Sequence, residues 1–486
     1  MAAADGAEPE ELECDYLVVG AGARGLAFVD ALLEEAEEEL SVFLVDEHHE
    51  PGGHWNDAYT FARLHQPSHY YGVVSRYLET RQRRPGDSAE RAAREEVLLY
   101  FAGVLDELVD TGVVRYFPMC SVGAGGTTIA SRLDPDSRWK VSVRRKLVDT
   151  AFLSVEVPAT RLPPFDVQAG AVLVPPNWVS SLPKEHPSYT VIGSGRTGID
   201  TVLWLLSRCV KPDQLQWVVP RDAWFFCREA MEPEQVGATW RTFLELAAAS
   251  PSIDTLCLDL EKAGIWCRLD ETVRQECFHG AFVSRDELQQ LQRVSNVVRM
   301  GHVREVRLTS LQLEAGSVPA DSATLYIDCC GSWERCAPRP VPIWEGQRIR
   351  LQQVEEASGC TGGFNVPFCA SLIGFMEAVW PEDDEMKNSL CTPAAMPDSP
   401  EQWLRAQLQA LRRRGLWRDE RAAEWLRSSR PGFLAVMSEE ESEQLVGEAA
   451  RPLQERAAHN LDIILRQHAA GVSQKGEAGS AVEAGR

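Results

Sequence analysis

The sequence predicts an α/β protein with two Rossmann-type dinucleotide-binding domains and a helical C-terminal region. Three observations support this fold class. A glycine-rich loop at residues 20–25 stands between an apolar strand and a helical stretch, and a second loop of the same spacing at residues 193–198 stands in the same setting. After about residue 400 the hydrophobic pattern is helical. A chain of 486 residues with 44% hydrophobic content is long enough to bury a core in each of several domains.

The first glycine loop follows the strand Tyr16-Leu-Val-Val-Gly20 and leads through a helix to a second strand that ends before Asp46. Gly20 permits the tight turn, Gly22 lets backbone N–H groups approach a pyrophosphate, and Gly25 lets the helix pack on the strand. The helix N-terminus adds partial positive charge. Asp46 follows Gly25 by about 20 residues, the spacing of a carboxylate that accepts hydrogen bonds from ribose hydroxyls. The pattern predicts a dinucleotide site, and the alternative is a structural turn.

The second loop has the same spacing, with Gly193, Gly195 and Gly198 between strand and helix. Its second strand runs Val218-Val219-Pro220-Arg221 and carries no acid at the ribose position. Arg221 can pair with a 2′-phosphate, which predicts NADPH rather than NADH; the alternative is a surface arginine at the start of a loop. Arg196, inside the loop, either binds phosphate or is solvated.

Two dinucleotide sites in one chain predict two cofactors, FAD at the first loop and NADPH at the second, with hydride passing from NADPH to FAD. The predicted organisation is a disordered tail over residues 1–14, a first FAD-domain segment over 15–185 and an inserted NADPH domain over 186–325. The return segment of the FAD domain and the C-terminal helices follow over 326–470. The small, polar residues 471–486 predict a second disordered tail. Within the first segment, RWKVSVRRKLVDTAFLSVEVP predicts a β-meander.

Four motifs carry a resemblance to a known family. They are VVGAGARGLAF, VDEHHEPGGHWNDAYTFARLHQPSHYYG, VIGSGRTGIDTVLWLL with VVPRDAWFF, and LYIDCCG. They resemble the flavin-containing monooxygenase-like group of FAD/NAD(P)-binding oxidoreductases, over most of residues 15–400. The resemblance implies that Asp46 is the FAD ribose ligand and that Gly52, Gly53 and Trp55 belong to the family's double-glycine, aromatic pattern. It also implies that LYIDCCG is the strand that brings the chain back to the FAD domain.

The resemblance places the segment from His54 to Ser68 beside the isoalloxazine ring. His65 and Gln66 are the candidate catalytic residues, because polar groups at the flavin edge can hydrogen-bond it and tune its electronics. The alternative for His65 is an ordinary loop histidine. Trp55 is expected to pack beside the cofactor without taking part in the chemistry.

Three departures from the family pattern bear on the reaction. Residues 163–190 lack the short Phe-x-Gly, histidine-containing fingerprint, and Ala159-Thr160-Arg161 stands where the family often has Ala-Thr-Gly. The later counterpart of Ala-Thr-Gly is Cys329-Cys330-Gly331. The predicted function is an FAD- and NADPH-dependent oxidoreductase, monooxygenase-like, in which the reduced flavin reacts with oxygen and a small nucleophilic substrate. The alternatives are a nucleotide-binding sensor or interaction protein without turnover, and a flavin reductase or oxidase. No cysteine stands between Cys14 and Cys120, which argues against a disulfide reductase.

Charge and composition narrow the partners. The formal net charge of −23 disfavours nucleic acid and anionic membrane surfaces. No window approaches twenty apolar residues and the acidic N-terminus lacks a signal-peptide pattern, so we expect a cytosolic protein. The thirteen cysteines lack paired metal-ligand spacing, which predicts reduced thiols and no metal. The sequence predicts no oligomeric state.

Overall fold

The computed structural model describes residues 10–79, 88–153, 156–182, 185–331, 339–354, 366–413 and 419–483. The chain forms two compact units. The first comprises Met1–Pro220, Val294–Ser358 and Gly363–Ala395, and the second Arg221–Arg293, Gly359–Gly362 and Met396–Arg486.

The strands in chain order are β1 (Glu10–Val19), β2 (Val42–Val45), β3 (Val114–Phe117), β4 (Cys120–Val122), β5 (Thr128–Ser131), β6 (Arg138–Asp149), β7 (Asp166–Val167), β8 (Val172–Val174), β9 (Tyr189–Ile192), β10 (Leu215–Val218), β11 (Ala223–Cys227), β12 (Trp266–Arg268), β13 (Cys277–Val283), β14 (Val297–Val298), β15 (Val303–Val306), β16 (Ser310–Leu313), β17 (Gly316–Pro319), β18 (Leu325–Asp328), β19 (Trp344–Glu345) and β20 (Arg348–Arg350). The helices are α1 (Ala23–Glu35), α2 (Arg94–Asp110), α3 (Pro176–Val179), α4 (Arg196–Ser207), α5 (Val236–Ala249), α6 (Ile253–Lys262), α7 (Arg285–Leu291), α8 (Val366–Val379), α9 (Asp384–Leu390), α10 (Pro400–Arg413), α11 (Glu420–Ser428), α12 (Glu439–Val446) and α13 (Arg451–Glu483).

The first sheet of the first unit has the order β19-β20-β6-β1-β2-β3, and β1 runs parallel to β2 and β6. The part of its central strand β1 from Tyr16 to Val18 is apolar and buried, as expected where helices cover both faces of such a sheet. On one face α1 packs against α8 so closely that a Cβ at Gly374 would lie 2.4 Å from the carbonyl oxygen of Phe28. β1 begins at Glu10, five residues before the start that the apolar pattern predicts at Asp15, because Glu10 and its neighbours pair with β6.

The predicted β-meander after Arg138 is wrong. A single strand of 12 residues, β6, runs from Arg138 to Asp149, and the described residues of 150–157 contain no strand. The alternating pattern continues across this stretch without a glycine, proline or asparagine, so nothing in it turns the chain.

The second sheet has the order β14-β10-β9-β18-β8, with neighbouring strands parallel. The LYID strand, β18, lies in this sheet between β9 and β8, whereas the resemblance implies a strand of the FAD domain. Its residues are buried, as expected for a central parallel strand. The chain returns to the first sheet with β19 and β20, and Arg348 of β20 lies opposite Leu147 of β6.

The second unit contains the sheet β12-β11-β13 and most of the C-terminal helices. Its core is aromatic: the ring of Trp266 lies 4.7 Å from that of Phe278 and 5.2 Å from that of Trp403. The two mainly parallel Rossmann-type sheets, both in the first unit, and the helical C-terminal region confirm the predicted α/β fold class. Of the predicted disordered tail over residues 1–14, residues 10–14 instead form the start of β1, and residues 1–9 lie outside the described part. The predicted disordered tail over residues 471–486 also differs from the structure, because the backbone of α13 is helical to Glu483. In the portion of the chain that is described, no helix has the length and apolarity needed to cross a membrane.

Candidate functional site

The first glycine loop has the predicted turn-to-helix geometry. Gly20 has a φ of 111°, and its N–H donates to the carbonyl oxygen of Val45 at 2.7 Å. A Cβ at Gly25 would lie 1.9 Å from the carbonyl oxygen of Gly20. No side chain fits there, so α1 can approach the turn only with glycine at this position.

The second loop repeats this geometry. Gly193 has a φ of 115°, and its N–H donates to the carbonyl oxygen of Val218 at 3.1 Å. A Cβ at Gly198 would lie 2.1 Å from the carbonyl oxygen of Gly193. The indole Nε1 of Trp217 also donates to that oxygen, at 2.9 Å. Both loops therefore present a helix N-terminus beyond the carboxyl end of a parallel strand, the arrangement that binds phosphates.

The middle glycines of the two loops, Gly22 and Gly195, have different neighbours. A Cβ at Gly22 would lie 3.3 Å from the Cα of Gly53, and the N–H of Gly52 donates to the carbonyl oxygen of Ala21 at 2.9 Å. The double glycine thus packs directly on the first loop. At Gly195 no described atom lies within 4 Å of such a Cβ. The second loop is therefore open in the part of the molecule that the structure describes.

Asp46 lies at the first loop and is 5% exposed. Its Oδ2 accepts the N–H of Ala21 at 2.5 Å. Its Oδ1 accepts the backbone N–H of His48 at 2.8 Å and lies 2.9 Å from the ring Nδ1 of His48. The predicted ribose carboxylate is thus fixed by the loop on one side and by a histidine on the other.

His48 is a site residue that the sequence reading missed. Its second ring nitrogen, Nε2, lies 3.0 Å from Oδ2 of Asp57. An ionised carboxylate only accepts hydrogen bonds, so both ring nitrogens must carry a proton to satisfy both contacts. The hydrogen bond with Asp46, and after it the one with Asp57, raises the pKa of His48 to about 9 against the opposing effect of burial. A histidine two residues after the ribose acid was visible in the sequence, but its partner Asp57 is not.

The segment after the double glycine contains Trp55 and the candidate catalytic residues His65 and Gln66. Trp55 is 8% exposed, and its Nε1 donates to the hydroxyl of Tyr71 at 2.7 Å, so it is a packing aromatic. His65 and Gln66 are half-buried. The side-chain oxygen of Gln66 is buried and accepts no hydrogen bond from the described residues. A ligand N–H would satisfy such an acceptor.

The arginine inside the second loop is not solvated. The side chain of Arg196 is 16% exposed and forms an ion pair with Asp200 at 2.5 Å. Asp200 also accepts the hydroxyl of Tyr59 at 2.7 Å. A phosphate role for Arg196 would therefore involve sharing the guanidinium with this carboxylate.

Arg221 forms a two-pronged ion pair within the second unit. Its Nη1 and Nη2 donate to the two carboxylate oxygens of Asp398 at 2.6 and 2.8 Å. The two side chains are 29% and 31% exposed. This fork is the geometry with which arginine binds carboxylates and phosphates, so Asp398 is a direct competitor for any phosphate at Arg221.

Arg161, which stands where the resembling monooxygenases often have a glycine, makes two contacts with the end of β18. Its Nη2 donates to the carbonyl oxygen of Cys330 at 2.6 Å, and its Nη1 lies 3.4 Å from Oδ2 of Asp328. The arginine therefore fastens its loop to the end of β18, next to the second glycine loop.

The comparisons with known proteins address the first loop and the chain as a whole. Residues 17–110 match a family model described as FAD-NAD(P)-binding. An uncharacterized protein of Mycobacterium tuberculosis and one of Mycobacterium bovis are each 39% identical over 451 residues, covering 87% of this chain and 78% of the relative. This chain belongs to the same family as these mycobacterial proteins. The match to the family model confirms the prediction that this chain binds FAD and NAD(P).

Solved structures of flavin enzymes also match at low similarity. A flavin-containing monooxygenase from Stenotrophomonas maltophilia is 14% identical with a TM-score of 0.40, covering 73% of this chain and 88% of that one. A cyclohexanone monooxygenase from Rhodococcus sp. Phi1 bound to NADP⁺ is 14% identical with a TM-score of 0.45, covering 82% and 89%. These values are too low to transfer an activity to this chain.

Proposed function

We propose that this protein is an FAD- and NADPH-dependent oxidoreductase of the monooxygenase-like kind, acting on a small nucleophilic substrate with oxygen. One observation carries the proposal: two glycine loops in one unit share the same turn, the same strand-end hydrogen bond and the same contact between the third and first glycines. A chain with two such loops is suited to bring two dinucleotides together for hydride transfer.

The residues of the first loop fit FAD. The N-terminus of α1 begins at a glycine cap that offers no side-chain acceptor, which leaves the partial positive charge of the helix for a pyrophosphate. Asp46, held beside Ala21, is the candidate ribose ligand. The side-chain oxygen of Gln66, which has no hydrogen-bond partner among the described residues, is a candidate acceptor for a polar group on the ring system. FAD, when bound, supplies the two-electron chemistry of the reaction.

The residues of the second loop fit a nicotinamide dinucleotide. Gly195 leaves room for the close approach of a pyrophosphate, because no described atom lies within 4 Å of where its Cβ would stand. Arg221 is the candidate for discrimination between NADPH and NADH. Its pairing with Asp398 predicts a weaker preference for NADPH than an unpaired arginine would give.

The reaction that follows flavin reduction is inferred from the resemblance to the monooxygenases and from the points where this sequence departs from their pattern. An oxygenating flavoenzyme needs a dry pocket, and this sequence lacks the fingerprint that the resembling monooxygenases carry before their second loop. We therefore expect flavin reduction to be retained and coupling to oxygenation to be loose. NADPH oxidation should then release hydrogen peroxide unless a suitable substrate is present.

The purified protein tests the proposal directly. Flavin released by denaturation is identified first, and bleaching of the bound flavin by NADPH and by NADH is then followed without oxygen. Oxygen consumption and peroxide release are next measured together, with and without amine, sulfide and ketone substrates. We expect FAD, bleaching by NADPH, and a peroxide yield that falls when the right substrate is added.

Two other outcomes would replace the proposal. If NADPH and NADH both leave the bound flavin oxidised, the protein is better described as a nucleotide-binding sensor or interaction protein. If bleaching occurs but oxygen does not reoxidise the flavin, the protein is a reductase that uses another acceptor.

A further inference from the structure

His48 joins two carboxylates that stand at different points of the first loop's surroundings. Asp46 directly follows β2 and contacts the loop through Ala21, whereas Asp57 follows the turn that carries the double glycine. The ring of His48 spans them with contacts of 2.9 and 3.0 Å. Asp57 is itself tied down, because its N–H donates to the carbonyl oxygen of His54 and its carbonyl oxygen accepts the side chain of Asn177. The bridge therefore fixes the distance between the ribose carboxylate and the double-glycine turn.

The bridge also sets the local charge. Asp46 and Asp57 carry two negative charges beside the loop where the negatively charged pyrophosphate of FAD would bind. The titratable groups around His48 are these two carboxylates, His54 on the double-glycine turn and Tyr116 on β3, which is close enough to Asp46 to feel its charge. Glu47, next to His48, is paired with Arg132. Protonated His48 therefore supplies the positive charge that offsets the two carboxylates.

We propose that His48 is a positioning residue for FAD, which as an imidazolium holds Asp46 against the loop and offsets the negative charge of Asp46 and Asp57, so that the FAD pyrophosphate can bind beside them. This inference rests on the proposed assignment of FAD to the first loop. It assigns His48 a role in binding the adenosine half of FAD and none in the redox chemistry.

The proposal predicts the pH dependence of FAD binding. The bridge raises the pKa of His48 above that of a free histidine, so its contribution is complete at neutral pH and is lost as the pH rises through about 9. Above this pH one ring nitrogen turns a lone pair toward a carboxylate, and one positive charge beside the pyrophosphate disappears. The affinity for FAD should therefore fall by up to about tenfold at one pH unit above the pKa.

The experiment measures the dissociation constant of FAD for the apoprotein, by quenching of flavin fluorescence, between pH 7 and pH 10. Wild type is compared with His48→Gln and His48→Arg. We expect the wild-type affinity to fall above pH 9. His48→Gln should bind FAD about tenfold more weakly at pH 7 with no such fall, because it lacks the charge. His48→Arg should restore binding and remain flat to pH 10, because a guanidinium donates to both carboxylates and does not deprotonate in this range.

Other ionisations, including that of FAD itself, occur equally in all three proteins and cancel in the comparison. A pH profile shared by wild type and His48→Gln would overturn the inference, since a purely structural histidine would weaken binding without changing its pH dependence. If His48→Gln does not fold, the same conclusion follows from a His48→Arg protein whose affinity falls with pH like that of wild type. Failure of the wild-type apoprotein to bind FAD at any pH would instead remove the proposed function.

Discussion

The two glycine loops have the same backbone and different surroundings. In both, the first glycine has a φ near 115°, 111° at Gly20 and 115° at Gly193, and the third leaves no room for a Cβ. Over the first loop lies the double glycine, and beside it the Asp46–His48–Asp57 bridge. At the second loop the middle glycine is open among the described residues. The spacing of the glycines thus determines the turn and its helix, whereas the residues around the loop differentiate the two sites.

The shared part of the comparison carries the largest expected effect. Gly25→Ala and Gly198→Ala each place a methyl group within about 2 Å of the carbonyl oxygen of the first glycine. The helix must then move away, at a cost of about 3 kcal/mol or more. We expect both variants to lose thermal stability by several degrees. Gly125→Ala is the control, since among the described residues its Cβ would meet only Thr127, at 3.6 Å. A Gly25→Ala or Gly198→Ala protein with the melting temperature of this control would show that the close contact is not required.

The middle glycines separate the two loops. Gly195→Val should fold normally and retain FAD, because its side chain meets no described atom within 4 Å of the Cβ, yet it should weaken NADPH binding by roughly ten- to a hundredfold. Gly22→Val should lose FAD and also some stability, because its Cβ lies 3.3 Å from Gly53. Flavin content and the rate of anaerobic bleaching by NADPH distinguish the two. If NADPH bleaches the flavin of the Gly195→Val protein at the normal rate and with normal affinity, the assignment of NADPH to the second loop is wrong.

The contrast between the two loops also shows which features of the structure could be predicted from the sequence. The turns, the helices and Asp46 follow from short-range patterns, since glycine spacing and a strand-end acid are local features. The bridge to Asp57 depends on how the double-glycine turn packs on the loop, and the Arg221–Asp398 pair joins residues far apart in the chain. The LYID strand was found from its apolar pattern, but parallel pairing leaves no mark of the sheet that a buried strand joins. The single strand β6 was misread because alternation does not reveal where a strand ends.

At the second loop, a tryptophan side chain donates a hydrogen bond to the first glycine. Trp217, 1% exposed, donates its indole N–H to the carbonyl oxygen of Gly193 at 2.9 Å. Trp217→Phe should leave that buried oxygen short of a donor and lower stability by about 1–3 kcal/mol beyond the packing loss. Trp266→Phe is the matched control, because Trp266 is also 1% exposed and its Nε1 has no hydrogen-bond partner among the described residues. Equal losses of thermal stability in the two variants would mean that the indole N–H contributes nothing at the second loop.

The smallest expected effect concerns the choice between NADPH and NADH, for which Arg221 is the candidate residue. A free arginine that binds a 2′-phosphate is worth about 1.5–3 kcal/mol. Arg221 is instead paired with Asp398 through both nitrogens, so binding a phosphate requires the guanidinium to leave or share that carboxylate. Both side chains are about a third exposed, so solvent weakens the ion pair between them. A phosphate can therefore displace Asp398 from Arg221, with a small net gain in binding free energy. We therefore expect Arg221→Ala to lower the preference for NADPH over NADH by less than about tenfold.

Asp398→Asn should raise this preference, because it removes the competing charge and leaves the arginine in place. The measurement is the ratio of the two dissociation constants in each protein, obtained by titrating the oxidised protein with each nucleotide. If Arg221→Ala weakens both nucleotides equally, or Asp398→Asn leaves the ratio unchanged, Arg221 is a structural partner of Asp398 and the discrimination lies elsewhere.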